Sequence, residues 1–72
     1  MSALQEAGAA CRNAEYELQE IHGKLLRATM TAPEGPAKSK AVEAQLRIVR
    51  ACATLNAAAE AFYAAADKEG RG

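Results

Sequence analysis

Tryptophan is missing from this chain. Its 72 residues include only one phenylalanine, two tyrosines, two prolines, two cysteines and one histidine. Each shortage removes a class of answer. So few rings cannot fill a broad globular core. Two cysteines and a lone His22 build neither a disulfide framework nor a zinc site, and no metal or cofactor is expected. No glycine-rich phosphate loop or Walker pattern occurs. No stretch approaches the ~20 apolar residues of a membrane span, so no membrane partner is expected. The opening MSALQEAGAA has no basic segment leading into an apolar run, so no secretory leader is expected either. The chain reads as cytoplasmic, with Cys11 and Cys52 as reduced thiols.

What the chain does have is alanine, which supplies more than half of its hydrophobic residues. Alanine favours helix and brings little bulk, so it suits helices packed close together. Both prolines fall in TAPEGPAKS, residues 31–39. Proline fixes its own φ and steers the preceding residue out of the helical region. Pro33, Gly35 and Pro36 together are expected to pull Thr31, Ala32 and Glu34 out of helix. Ser2, with Gln5 three residues on, has the pattern of a capping box. Gly70 has the position of a C-terminal stop. One domain, 1–72, is expected: a helix over 3–30, a loop over 31–37 and a helix over 38–68. Pro36 or Ser39 would stand in the first turn or cap of the second helix. A connection that short makes the helices antiparallel neighbours.

Heptad spacing supports the hairpin. The first helix carries Leu4, Ala7, Cys11, Ala14, Leu18, Ile21, Leu25 and Ala28 at alternating steps of three and four. The second carries Ala41, Gln45, Ile48, Cys52, Leu55, Ala59, Phe62 and Ala66. Large and small residues alternate, so each small residue admits a large neighbour. Folding at the break sets Leu18 near Val49 and Cys52, and Leu4 near Phe62 and Ala66. Cys11 falls near Ala57, too far from Cys52 for a disulfide.

Apolar residues exceed what one seam uses. Val42, Leu46, Val49 and Ala53, with Ala57 and Ala64, form a second stripe on the second helix. Tyr16, Leu26 and Met30 add a weaker one to the first. Leaving a Val or Leu in water forgoes about 1.5–3 kcal/mol each. The expected fold class is therefore all-α: a coiled-coil-like antiparallel hairpin that dimerises into a four-helix bundle.

Net charge is zero, with nine basic and nine acidic residues, but the signs are segregated. Between His22 and Arg50 stand Lys24, Arg27, Lys38, Lys40, Arg47 and Arg50 against Glu34 and Glu43, six minus two or +4. The remainder has three basic residues against seven acidic ones, or −4. Two such rods attract when antiparallel and repel when parallel. In shape, though in no specific motif, this short hairpin with large–small heptad layers resembles the Rop-type plasmid-copy-control family, and that resemblance implies an antiparallel dimer.

Candidate chemistry is thin. His22, beside seam residue Ile21, reads as a helix-flank side chain. Glu15, Glu17 and Glu20 do not share a face as paired catalytic carboxylates would. Cys11 and Cys52 occupy seam positions where a small apolar residue fits. Gly8 and Gly23 each cost about 1 kcal/mol mid-helix relative to alanine; Gly23 is either a kink or close-contact site or tolerated drift. No enzyme is expected. The leading expectation is a protein-binding module, acting as an adaptor, chaperone or inhibitor. Its docking surface is expected across Leu26, Met30, Val42, Leu46, Arg47 and Arg50, where surplus apolar residues and basic charge coincide, and the partner is expected to be itself and an acidic protein. The competing use of Val42, Leu46 and Val49 is the dimer interface. Two alternatives remain open: a Rop-like nucleic-acid-binding regulator using the basic tip, and a sequestering protein for a small phosphorylated ligand.

Overall fold

The computed structural model describes residues 2–71; the two terminal residues of the expected 1–72 domain lie outside them. Two helices, α1 (Ala3–Thr31) and α2 (Pro36–Arg71), pack against each other as a hairpin, with no strand among the described residues.

Local chemistry sets the helix ends. The Ser2 hydroxyl accepts from the Gln5 N–H at 3.2 Å, and the Ser2 N–H donates to Gln5 Oε1 at 3.2 Å, closing the capping box. Glu6 adds an acidic residue to the first turn, where the helix dipole favours it. At the other end Ala32 is extended (φ −72°, ψ 143°), as a residue before proline must be. Thr31 stays helical, one residue beyond the expected end. The restriction acts only on the residue directly before proline, and the Thr31 hydroxyl still donates toward Arg27 O (3.1 Å) and Ala28 O (3.3 Å).

The break is shorter than the expected 31–37, because α2 starts at Pro36, one of the two residues expected in its first turn or cap. Proline suits a first helical position, where its missing N–H costs nothing. Gly35 supplies the carbonyl that accepts from the Ser39 N–H at 3.1 Å. Its φ of +155° is a conformation that side chains with a Cβ rarely adopt, so glycine is required there. A Lys38–Glu34 ion pair at 2.9 Å spans the junction. Gly70 does not stop α2, which runs on to Arg71; Gly70 takes no positive φ, so the left-handed cap that ends many helices is not formed there.

The seam of α2 is the expected one: Ala41, Gln45, Ile48, Cys52, Leu55, Ala59, Phe62 and Ala66 are all buried or half-buried. The seam of α1 is rotated from the expected one. Leu4, Ala7, Cys11, Ala14, Leu18 and Leu25 are half-buried as expected, but Gly8, Glu15, His22 and Thr29 are also buried or half-buried, and Gly8, Glu15 and Thr29 take cross-helix contacts. Ile21 (45% exposed) and Ala28 sit outside the contact. Cross-helix partners explain the rotation. Thr29 Oγ1 lies 3.1 Å from Gln45 Oε1, so the polar member of the α2 seam meets a polar residue. The Cys52 thiol points at Glu15 O, 4.0 Å away. Gly8 is buried under the ring of Tyr63, where an added Cβ would stand 3.0 Å from ring atoms. Both cysteines are free thiols, as the expected register requires.

The result is a rod with Cα extents of 57 × 15 × 13 Å. Its radius of gyration is 16.4 Å, against about 11 Å for a compact domain of this length. Ala59 is the only buried hydrophobic residue among those described, and no large side chain is fully buried.

Gly8 and Gly23 separate the two reasons for glycine in a helix. Nothing lies within 4 Å of a Cβ added at Gly23. Gly23→Ala is expected to raise stability by about 0.5–1 kcal/mol through helix propensity alone. Gly8→Ala should forfeit that gain, because its methyl displaces the Tyr63 ring. Thermal melts of the two variants side by side measure the difference, and equal gains would refute the ring contact.

Candidate functional site

Cross-helix contacts assign the two sides of the hairpin. Flanking the α2 seam on one side is the row Val42, Val49, Asn56, Tyr63; the matching α1 row is Gln5, Arg12, Gln19, Leu26. Arg12 Nη1 donates to Asn56 Oδ1, and Tyr63 covers Gly8, so these rows adjoin. Just outside them lie Tyr16 and Met30 on α1 and Leu46 and Ala53 on α2, one helical step further round. Every exposed large hydrophobic residue of the described chain except Ile21 therefore falls on this one face: Tyr16, Leu26, Met30, Val42, Leu46, Val49 and Tyr63. The opposite side is lined mainly by alanine, including Ala14, Ala44, Ala51 and Ala58.

The apolar residues concentrate toward the turn. Leu26, Met30, Val42, Leu46 and Val49 lie within the last three turns of α1 and the first four of α2. Met30 is 75% and Leu46 58% exposed. The structure thus brings together the four apolar residues singled out from the sequence and leaves all of them open to water. Arg50 borders this patch, one turn from both Leu46 and Ala53, whereas Arg47 lies one turn from Ala44 and Ala51, toward the alanine side. Arg47 is held by Glu43 at 3.0 Å, and Glu43 also meets Lys40 at 3.4 Å. Arg50 has no carboxylate within ion-pair reach among the described residues.

The groups considered for catalysis do not converge. His22 is half-buried in the seam while Ile21 is exposed, the reverse of the expected arrangement. Glu15 is drawn into the seam and meets Arg12 at 3.3 Å; Glu17 is exposed, and Glu20 faces Lys24 at 3.9 Å on the surface. A groove of about 250 Å³ opens at the far end of the rod, between Ser2, Gln5, Ala66, Glu69 and Gly70. It includes none of these groups. Among the described residues no cluster of His, Cys, Asp or Glu is arranged to hold a metal ion, and no helix is long and apolar enough to cross a membrane.

Periodicity missed the polar row Glu15, His22, Thr29, because it counts only apolar residues. Gln45 was the available signal: a polar residue inside a seam requires a polar partner opposite.

His22→Leu places an apolar side chain in a half-buried seam position and should raise stability by roughly 0.5–1 kcal/mol. Chemical denaturation of the variant measures this; a fall in stability would assign His22 a polar partner.

No family model matches this sequence, and no curated protein and no solved structure matches it, so the likeness to the Rop type gains no support from comparison and the functional reading rests on the residues themselves.

Proposed function

We propose that this chain is a small, non-enzymatic protein-binding module whose docking surface is the apolar face toward the turn, formed by Leu26, Met30, Val42 and Leu46 and edged by Arg50, with Arg47 adding to the positive charge of the same half. One observation carries the reading: seven large hydrophobic side chains, each at least 40% exposed, share a single face that no other described element covers. Apolar residues rimmed by charge are the usual composition of a protein-docking patch, and methionine and arginine are enriched in them. Docking another helical pair against this face completes a four-helix bundle, the arrangement in which each helix buries two rows instead of one. Adaptor, chaperone and inhibitor share this docking chemistry, and the partner's identity decides among them.

The nucleic-acid reading draws on the basic tip. It is weakened by ion pairing: Lys38, Lys40 and Arg47 each already meet a carboxylate. No aromatic side chain is interleaved with them to stack a base. The phosphorylated-ligand reading needs a crevice among these cations, and the groove described above lies at the other end of the rod.

The double substitution Val42→Glu with Leu46→Glu is expected to leave the helices intact by circular dichroism and to abolish protein association. The assay is capture from nuclease-treated extract, with light scattering of the purified chain alongside. Association equal to the unsubstituted chain would overturn the docking reading. Association lost on nuclease treatment would favour nucleic acid.

A further inference from the structure

The accessible surface of the chain is 5268 Å². A compact monomer of this mass exposes about 4,300 Å², so the rod carries an excess of roughly 1,000 Å². A stable interface of standard size takes about 800 Å² from each partner. The surplus is thus what one docked partner of similar size would remove.

Charge selects which partner and which way round. Residues 22–50 carry +4 and the remainder −4. The turn half cannot dock on a second turn half without setting like charges together. It fits an acidic half, and the chain itself supplies one.

The helix midpoints supply the register. Tyr16 lies at the middle of α1 (Ala3–Thr31) and Ala53 at the middle of α2 (Pro36–Arg71), and both sit on the apolar face. Tyr16 is 66% exposed. A two-fold axis crossing the rod between them overlaps two hairpins along their whole length. It sets α1 against α1 and α2 against α2, both antiparallel. Val42 and Tyr63 lie at nearly equal distances either side of Ala53, so Val42 meets Tyr63 of the second copy. By the same spacing Arg47 comes level with Ala59 and Arg50 with Asn56 of the second copy, within about one turn of Glu60.

From these observations we infer that the partner of the apolar face is a second copy of this chain, docked antiparallel, with the Tyr16 and Ala53 rows at the dyad. The proposal rests on the docking reading above and names its occupant. The basic turn half of each chain lies on the acidic half of the other, and the alanine side stays outermost.

Sedimentation equilibrium of the purified chain tests it. At about 100 μM, above the micromolar dissociation constants at the weak end of standard-size interfaces, the expected mass is twice the 7.6 kDa of the chain. Raising salt from about 50 mM to about 500 mM should weaken the dimer at least tenfold, because attraction between the two halves is screened. Arg47→Glu with Arg50→Glu should weaken it similarly at low salt, with helicity checked by circular dichroism. A parallel dimer gives the opposite result on both counts, since salt and charge reversal would relieve repulsion at its paired tips. Tightening in either experiment overturns the antiparallel arrangement. The salt series uses the unsubstituted chain and stands even if the variant unfolds. A monomer at this concentration overturns the second-copy proposal; if Val42→Glu with Leu46→Glu still abolishes protein capture, the docking reading survives it. A dimer indifferent to that double substitution overturns both.

Discussion

A pair of helices has one interface between them, and the rest of this molecule follows from how little that interface holds. A cylinder of side chains can turn only a narrow stripe toward a single neighbour. In this rod the stripe covers Ala59 completely and leaves every large side chain among the described residues partly wet. Burial of apolar surface is the main force that opposes chain entropy, so a hairpin of this length stands near the margin of stability alone. Local terms therefore matter more than in a thicker protein. The capping box at Ser2, the glycine-proline entry to α2 and the ion pairs spaced three or four residues apart all stabilise helix without needing a core.

The single interface is also selective about its contents. Gly8 lies under Tyr63, Ala59 is sealed, and the cysteines fill half-buried positions with a compact thiol. Small residues let the backbones approach, and leucines and Phe62 fill the spaces between them. Two of the polar residues in the seam find a partner, Thr29 with Gln45 and Glu15 with Arg12, while half-buried His22 has none among the described residues. An unpaired polar group in a half-wet seam costs less than in a deep core, because water still reaches it. That is why a thin bundle tolerates a polar row that a globular core would reject.

The legible and illegible parts of this fold divide along the same physics. Proline and glycine act on backbone dihedrals directly, so the position of the turn was plain from TAPEGPAKS. The capping box was plain for the same reason, since its two hydrogen bonds depend on residues three apart. The α2 seam was legible because its apolar row is nearly unbroken. The α1 seam was not. Leu4, Cys11, Leu18 and Leu25 belong to both candidate rows, and the choice between Ile21 and His22 as their neighbour is made by what stands opposite. Apolar counting favours Ile21; the contacts from Gln45 and Tyr63 turn the helix the other way. The candidate docking residues Leu26, Met30, Val42 and Leu46 were found because they exceeded the needs of one seam. That they share a face with Tyr16 and Tyr63 depends on which edges adjoin, and that required the Arg12–Asn56 and Gly8–Tyr63 contacts.

Rotation of α1 has a consequence for association. Had Ile21 entered the seam, the apolar surplus of α1 would be smaller and the hairpin better buried by itself. Placing His22 and Glu15 inside keeps the internal interface modest and leaves hydrophobic side chains outside it. Energy that could have stabilised the isolated hairpin is instead available only when a partner covers the outer face. A partner that binds the folded chain and not the unfolded one stabilises it by mass action. If the outer face docks as proposed, folding and association of this chain are two readings of one equilibrium, and a substitution at the exposed Leu46 acts on both.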